Sequence, residues 1–192
     1  MARSPFVARA LLTAVAAATL LGLTACAAGA PATDTAGVAP ATGELISGTG
    51  YTYSVPEGWA DPGEVPGFSP DSIAADLDAF VPGRQLADNV NVILSPAGKV
   101  TPEQVESAGV KELEGAGATD VTVQPRVKIA GQESAHLSAA LASGGTTYAA
   151  EQYYVSNGDQ TYVVTFSFSP TVGAKERVAL AESVLASWKF TG

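Results

Sequence analysis

The sequence predicts an α+β domain: a mostly antiparallel β-sheet flanked by helices. Three observations predict it. Several runs beyond residue 48 alternate apolar and polar residues with period 2, the pattern of half-buried strands. Turn residues separate successive runs, so neighbouring strands fold back as hairpins. Two stretches repeat with helical period instead, one mid-chain and one at the end, and amphipathic helices need a sheet to cover. A chain of 192 residues can bury one sizeable core even after losing a leader.

The elements follow in chain order. Residues 1–25 read as a signal peptide: Arg3 and Arg9 precede an apolar run over 10–23, too short for a comfortable membrane span. The run ends in Leu23-Thr24-Ala25-Cys26, which resembles the lipobox of bacterial lipoproteins. Small residues beside the cleaved bond fit a peptidase cleft, and only a thiol at the next position can become the thioether to diacylglycerol. An ordinary leader cleaved near Ala28 or Ala30, with Cys26 incidental, is the other reading. Cys26 is the only cysteine, so it falls where the lipobox needs it, and no intramolecular disulfide or multi-cysteine zinc site is possible. Acyl chains on Cys26 would give stable anchoring at about 0.8 kcal/mol per buried CH₂. The expected location is the outer face of the cytoplasmic membrane, in the cell envelope.

Residues 26–47 are rich in Ala, Gly, Pro and Thr and lack periodicity, which predicts a flexible tether spanning about 25 Å. The globular domain is expected over 48–192. Tyr51, Tyr53 and Val55 share one face of its first strand, and Val90, Val92 and Leu94 one face of a later one. Val121, Val123, Pro125, Val127 and Ile129 alternate next, and Gly131 turns that run into 134–141, where Ala135, Leu137, Ala139 and Leu141 share a face. Asn157-Gly158 marks a second hairpin between 147–155 and 161–168. A two-residue loop would set Tyr153 opposite Tyr162 and Glu151 opposite Val164. A three-residue bulged loop would pair Tyr154 with Tyr162 and Ala150 with Phe166, and this register is preferred.

Thr101-Pro102-Glu103 supplies an N-cap, a proline at the first helical position and an acid in the first turn. Val105, Ala108, Gly109, Leu113 and Ala116 then share one face, with Glu112 at its edge. The final helix, about 172–187, puts Ala174, Val178, Ala181, Val184, Leu185 and Trp188 on one side. Residues 70–81 suit a short turn of helix followed by a strand.

This order of elements resembles a known family. An opening strand ends in Pro56-Glu57-Gly58-Trp59, Asn89-Val90-Asn91-Val92 precedes the first helix, and a strand pair turns around Ile129-Ala130-Gly131-Gln132. The Tyr153–Tyr162 hairpin and a last helix with Trp188 complete it. The arrangement resembles the PsbP-like fold, an α/β/α sandwich, and more narrowly the LpqN/LpqT-like lipoproteins of actinobacteria, over about residues 50–190. Residues 64–88 follow the pattern least. The resemblance implies an envelope lipoprotein without an established catalytic site, acting through protein partners in envelope assembly.

Charge narrows the function classes. Without residues 1–25 the chain carries 8 basic and 19 acidic side chains, a net of −11, and no Lys/Arg cluster. Such a surface repels nucleic acid and anionic headgroups, so no nucleic-acid partner is expected. His136 is the only histidine and shares a face with Ser134 and Ser138, away from the apolar face, so it reads as an exposed strand residue rather than a base. The run Gly67-Phe68-Ser69-Pro70-Asp71 lacks the second glycine of a nucleophile elbow, and Pro70 cannot donate an oxyanion-hole N–H. Asp71, Asp76, Asp78, Glu103, Glu106, Glu112 and Glu114 lack calcium-loop spacing, Asp76-Leu77-Asp78 reads as a solvated edge, and nothing in their spacing points to a glycosidase-like acid pair, which stays open. The runs Gly48-Thr49-Gly50 and Ser143-Gly144-Gly145 read as turns, outside the strand–loop–helix setting of a phosphate cradle. All six tyrosines, Tyr51, Tyr53, Tyr148, Tyr153, Tyr154 and Tyr162, lie in expected strands, as core or as a binding face.

The expected function is a non-catalytic, membrane-anchored binding or scaffold module for cell-envelope proteins. Its partners are membrane lipid, through Cys26, and an envelope protein; no cofactor, metal or catalytic residue is expected. The alternative is a carrier or chaperone for a lipid or small apolar ligand, which requires an open cavity lined by residues such as Val105, Leu113, Val184 and Trp188. A hydrolase built on His136 is a third reading.

Overall fold

The structure, a computed structural model, describes residues 32–78, 87–143 and 145–191. Its strands are β1 (Thr33–Asp34), β2 (Leu45–Gly48), β3 (Tyr51–Ser54), β4 (Trp59–Ala60), β5 (Ser72–Asp76) and β6 (Asn89–Leu94), then β7 (Thr119–Ile129), β8 (Gln132–Ser143), β9 (Thr146–Asn157), β10 (Gln160–Phe168) and β11 (Lys189–Phe190). Between β6 and β7 a helical stretch runs through α1 (Pro102–Gln104), a π-helical turn (Val105–Gly109) and α2 (Val110–Gly115); α3 (Ala174–Ala186) follows β10. Eight strands form one sheet in the order β1-β7-β8-β9-β10-β6-β5-β4, antiparallel except for the β1–β7 pair, and β11-β3-β2 form a smaller antiparallel sheet. This is the α+β arrangement that the period-2 runs predict.

Helices cover both faces of the large sheet. On one, Val90, Val92, Tyr153, Val155, Val164, Phe166 and Phe168 pack with Val184, Leu185 and Trp188 at the C-terminal end of the chain. Tyr51, Tyr53 and Trp188 stack there, with the Tyr51 and Trp188 rings 4.4 Å apart. Burying each such side chain contributes about 1.5–3 kcal/mol. On the other face Val105 meets Ala135 and Leu137 in a smaller cluster, flanked by Leu113, Val110 and Tyr154. A capping box starts the helical stretch: Thr101 Oγ1 accepts from the Gln104 amide (3.3 Å), and Gln104 Oε1 accepts from the Thr101 amide (2.8 Å). Ala116, placed on the apolar face by spacing, is exposed because the helical stretch ends at Gly115.

Several expectations change. Residues 33–48 lie on the domain instead of forming a free tether to 47. The Thr35 hydroxyl donates to the Lys128 carbonyl (2.8 Å), the Ala41 amide to Ser183 (2.8 Å) and the Gly43 amide to Val55 (2.8 Å). Ile46 is buried in the main core. Backbone hydrogen bonds need no hydrophobic period, so composition did not reveal this packing. A Cβ at Gly43 would sit 2.5 Å from the Val55 and Pro56 carbonyl oxygens, so the glycine allows a close approach of two chain segments.

The β9–β10 loop is Gly158-Asp159, one residue beyond the expected turn, with Asn157 opposite Gln160 and Gly158 at φ +57°. Val155 therefore faces Tyr162, Tyr153 faces Val164 and Glu151 faces Phe166, which neither expected register gives. The β7–β8 turn at Ala130-Gly131 is as expected, with both residues at positive φ. In β7 irregularities between Thr119 and Thr122 and between Gln124 and Val127 break the alternation. Val127 and Ile129 are buried, whereas Val123 is 43% exposed. Residues 72–76 are a strand from the start, without the expected helical turn before it, and the later part of the 70–81 reading lies outside the described residues.

Candidate functional site

The second covered face changes the reading of His136. β8 alternates, so the face opposite Ala135 and Leu137 carries Ser134, His136 and Ser138, and that face lies under α3 rather than in solvent. His136 is 4% exposed, sits opposite Tyr153 and stacks on its ring at 4.1 Å. Glu151, two residues before Tyr153 on the same face, reaches back to it: Glu151 Oε2 lies 2.9 Å from His136 Nε2. Arg177, in the first turns of α3, donates from Nε to Glu151 Oε1 (3.0 Å) and from Nη1 to the Val172 carbonyl (2.9 Å).

Both oxygens of a carboxylate that is 1% exposed are thus engaged, one by the helix and one by the sheet. A carboxylate only accepts, so His136 Nε2 carries the proton toward it. General-base chemistry needs an imidazole within reach of a substrate proton. Here the ring is sealed between Tyr153 and Glu151, and the neighbouring hydroxyls are occupied: Ser138 Oγ accepts from Gln124 Nε2 (2.7 Å), and Ser134 Oγ lies 3.4 Å from the Gln132 carbonyl. The constellation ties α3 to the sheet. The Tyr153 hydroxyl is buried beside it without a hydrogen-bond partner, and burial pushes its pKa well above the ordinary value.

The remaining candidates separate. Cys26 and residues 1–25 lie outside the described residues. Val105 and Leu113 pack on one face of the large sheet, Val184 and Trp188 on the other. They line no common cavity, and Val105, Val184 and Trp188 are buried in packed clusters, which removes the cavity that a carrier built on them requires. Tyr51, Tyr53, Tyr153 and Tyr162 are buried and serve the core, while Tyr148 and Tyr154 are half-buried. Glu103 and Glu106, with Glu133, surround Arg126, a clamp between the helical stretch and β7. Among the described residues no group of three or more His, Cys, Asp or Glu side chains is placed to hold a metal ion, and no helix is long and apolar enough to cross a membrane.

What the surface offers lies between β4 and β5. Residues 61–73 border a trough of about 640 Å³ whose lining includes Asp61, Glu64, Val65, Phe68, Asp71 and Ile73. Val65-Pro66-Gly67-Phe68 forms a turn closed by the Phe68 amide on the Val65 carbonyl (3.0 Å), with Gly67 at φ +78°. Proline second and a positive-φ glycine third make it type II. Asp71 closes the other end. Its carboxylate accepts the Thr49 hydroxyl (2.7 Å) and amide (2.8 Å). Partial burial raises its pKa, but hydrogen bonds from Thr49 and Tyr51 outweigh that and hold the carboxyl below its ordinary range.

Sequence reasoning missed Glu151, Arg177 and this trough. The signal for Glu151 was present: it alternates with Tyr153 and Val155, an acid on an aromatic face. Pro66-Gly67 was the signal for the turn.

No protein-family model and no curated protein matches the chain. Solved structures do resemble it. The solution structure of cyanobacterial PsbP (CyanoP) from Synechocystis sp. PCC 6803 is 20% identical, with a TM-score of 0.53 over 81% of this chain and 96% of that one. The crystal structure of LpqN, involved in cell envelope biogenesis of Mycobacterium tuberculosis, is 15% identical with a TM-score of 0.51, covering 78% and 90%. A protein from Bacteroides thetaiotaomicron VPI-5482 is 16% identical with a TM-score of 0.51 over 78% of this chain. The present chain spans about half of that protein's length, 49%. With its mostly antiparallel sheet between helices, the chain has a PsbP-like α+β fold.

Proposed function

We propose that this chain is a non-catalytic lipoprotein, anchored through Cys26 on the outer face of the cytoplasmic membrane, that binds another protein of the cell envelope. One observation carries the non-catalytic part: the only imidazole of the chain is spent on a buried tie to Glu151. The leader ending in Leu23-Thr24-Ala25-Cys26 supports the anchor. The likeness in fold to LpqN, itself involved in cell envelope biogenesis, supports the location.

The test uses the lipidated protein in its native envelope, with photo-reactive residues placed singly at the exposed positions Leu45, Phe68, Leu77 and Val123. The same discrete envelope proteins should be captured in repeated experiments, and Cys26→Ser should move the chain to the aqueous phase of a detergent partition and abolish the capture. Retention of Cys26→Ser in the detergent phase would refute the anchor. Absence of protein adducts from all four positions would refute the binding role.

A further inference from the structure

Given the binding role above, on which this inference rests, we propose that the trough between β4 and β5 is the docking site, and that it takes a short apolar segment carrying lysine or arginine from the partner protein.

Shape comes first. Small-molecule sites enclose most of their ligand. Here Asp61, Glu64, Pro66, Gly67, Phe68 and Ser69 are themselves exposed, so the trough suits a chain lying across it rather than an enclosed small molecule.

The wall is also set before binding. The type II turn fixes Phe68, and the Asp61 side chain accepts from the Gly63 amide (2.8 Å). At the far end Asp71 is held by Thr49, and Ser72 beside it by the Tyr51 (2.8 Å) and Tyr53 (3.1 Å) hydroxyls. A loop tied at both ends loses little entropy when it is covered. Phe68, 37% exposed at the end of the turn, is the aromatic anchor of a kind that interfaces favour.

Charge then selects the occupant. Asp61, Glu64 and Asp71 line the trough, Asp76 and Asp78 follow, and no Lys or Arg occurs from 61 to 78. Of 19 acidic residues in the chain, 5 fall in this segment, so the local field favours a cation more than the chain as a whole does. The same field repels a second copy of this acidic chain and anionic lipid. Position agrees. The trough lies by β4, one edge of the large sheet, whereas β1 with the N-terminal end lies at the other edge. Seven strand spacings, about 33 Å before twist, separate it from the side where a Cys26 anchor attaches.

The test titrates the full lipidated chain, in non-ionic detergent, with a synthetic peptide of about 12 alternating Leu and Lys residues, followed by backbone amide NMR. Two further peptides carry Glu for Lys or Ser for Leu. The Leu/Lys peptide should shift the amides of Gly63, Gly67 and Phe68. Phe68→Ala should weaken its binding about tenfold. The Asp61→Asn/Glu64→Gln variant should weaken it about threefold to tenfold and remove most of its salt dependence. These side chains are exposed, so both variants should unfold at the temperature of the parent protein.

Equal binding of the Leu/Glu peptide, shifts confined to other parts of the domain, or no binding at all would overturn the proposal. So would shifts of the same amides on raising the protein concentration alone, which would assign the trough to a second copy, or on adding phosphatidylglycerol vesicles, which would assign it to lipid. Envelope adducts from Leu45 or Val123 with none from Phe68 would sink the trough and leave the binding role standing. No adducts from any position would sink both.

Discussion

Replacing Arg177 with Met removes the guanidinium that holds one oxygen of Glu151. Deleting one partner of a buried ion pair costs about 3–5 kcal/mol, because the other charge is left without water or counter-ion. The two partners differ in exposure: the Arg177 side chain is 18% exposed and that of Glu151 2%. Arg177→Met therefore strands the group that cannot reach solvent, and it also deletes the bond to the Val172 carbonyl. The expected loss is about 3–4 kcal/mol. Glu151→Gln strands the group that can reach solvent and leaves an amide oxygen to accept from it, so its expected loss is about 1–2 kcal/mol. In a domain of about 150 residues the first loss lowers Tm by about 6–16 °C. Urea unfolding followed by tryptophan emission measures both, since Trp59 and Trp188 are buried and shift to the red when exposed. A loss below about 1 kcal/mol for Arg177→Met, or a larger loss for Glu151→Gln than for Arg177→Met, would refute the account of Glu151 as the member of the pair that water cannot reach.

Gly43→Ala should destabilise the domain by about 2 kcal/mol or more, because the new Cβ meets two carbonyl oxygens of the main chain at 2.5 Å; parental stability in urea would contradict it. Tyr153→Phe removes a buried hydroxyl that has no partner, so it should leave stability unchanged or raise it by up to about 1 kcal/mol, and a clear loss would mean the hydroxyl is satisfied in solution. Burial raises the Tyr53 pKa to about 12, against a smaller opposing hydrogen bond with Ser72. The folded-state value lies above the unfolded one, so this contribution is fully present below about pH 10 and is lost as pH rises toward 12. Tyrosinate absorbance should therefore rise together with unfolding, and ionisation of Tyr53 in the folded protein near pH 10 would contradict it.

The legible part of the fold is the part that repeats. β6, β8, β9 and β10 read directly from alternation, and α3 and the capped helix start from spacing and Thr101-Pro102. Failures occurred where a residue departs from its neighbours for a reason lying elsewhere in the chain. Glu151 is the clearest case. Glu151 puts an acid on the aromatic face of β9, opposite Phe166, and Arg177, 26 positions later, makes that face habitable for a carboxylate. His136 failed for a related cause: one polar stripe looks the same whether it faces solvent or lies under a helix whose placement sequence alone does not give. In β7 a bulge moves Val123 away from the expected face, and bulges leave no periodic trace. The trough is hidden because its turn, Val65-Pro66-Gly67-Phe68, lies in a segment without periodicity.

The packing of residues 33–48 bears directly on the proposed anchor. Were the tether to reach 47, the domain would hang on about 25 Å of coil and turn freely. With β1 paired to β7 from Thr33, only residues 27–32 remain between Cys26 and the sheet, at most about 20 Å when fully extended. A leash shorter than the width of the large sheet cannot present both sheet edges equally to the bilayer. With Cys26 lipidated as proposed, the β1 edge would stay near the headgroups. The same sheet would then place β4 and Phe68 at the opposite edge, away from the headgroups. Without residues 1–25 the net charge of −11 would act in the same sense, since anionic headgroups repel an acidic domain and would favour poses in which its acid-rich 61–78 segment points outward. On the proposed anchor, a short leash and the sheet order would together bias which sheet edge faces the bilayer.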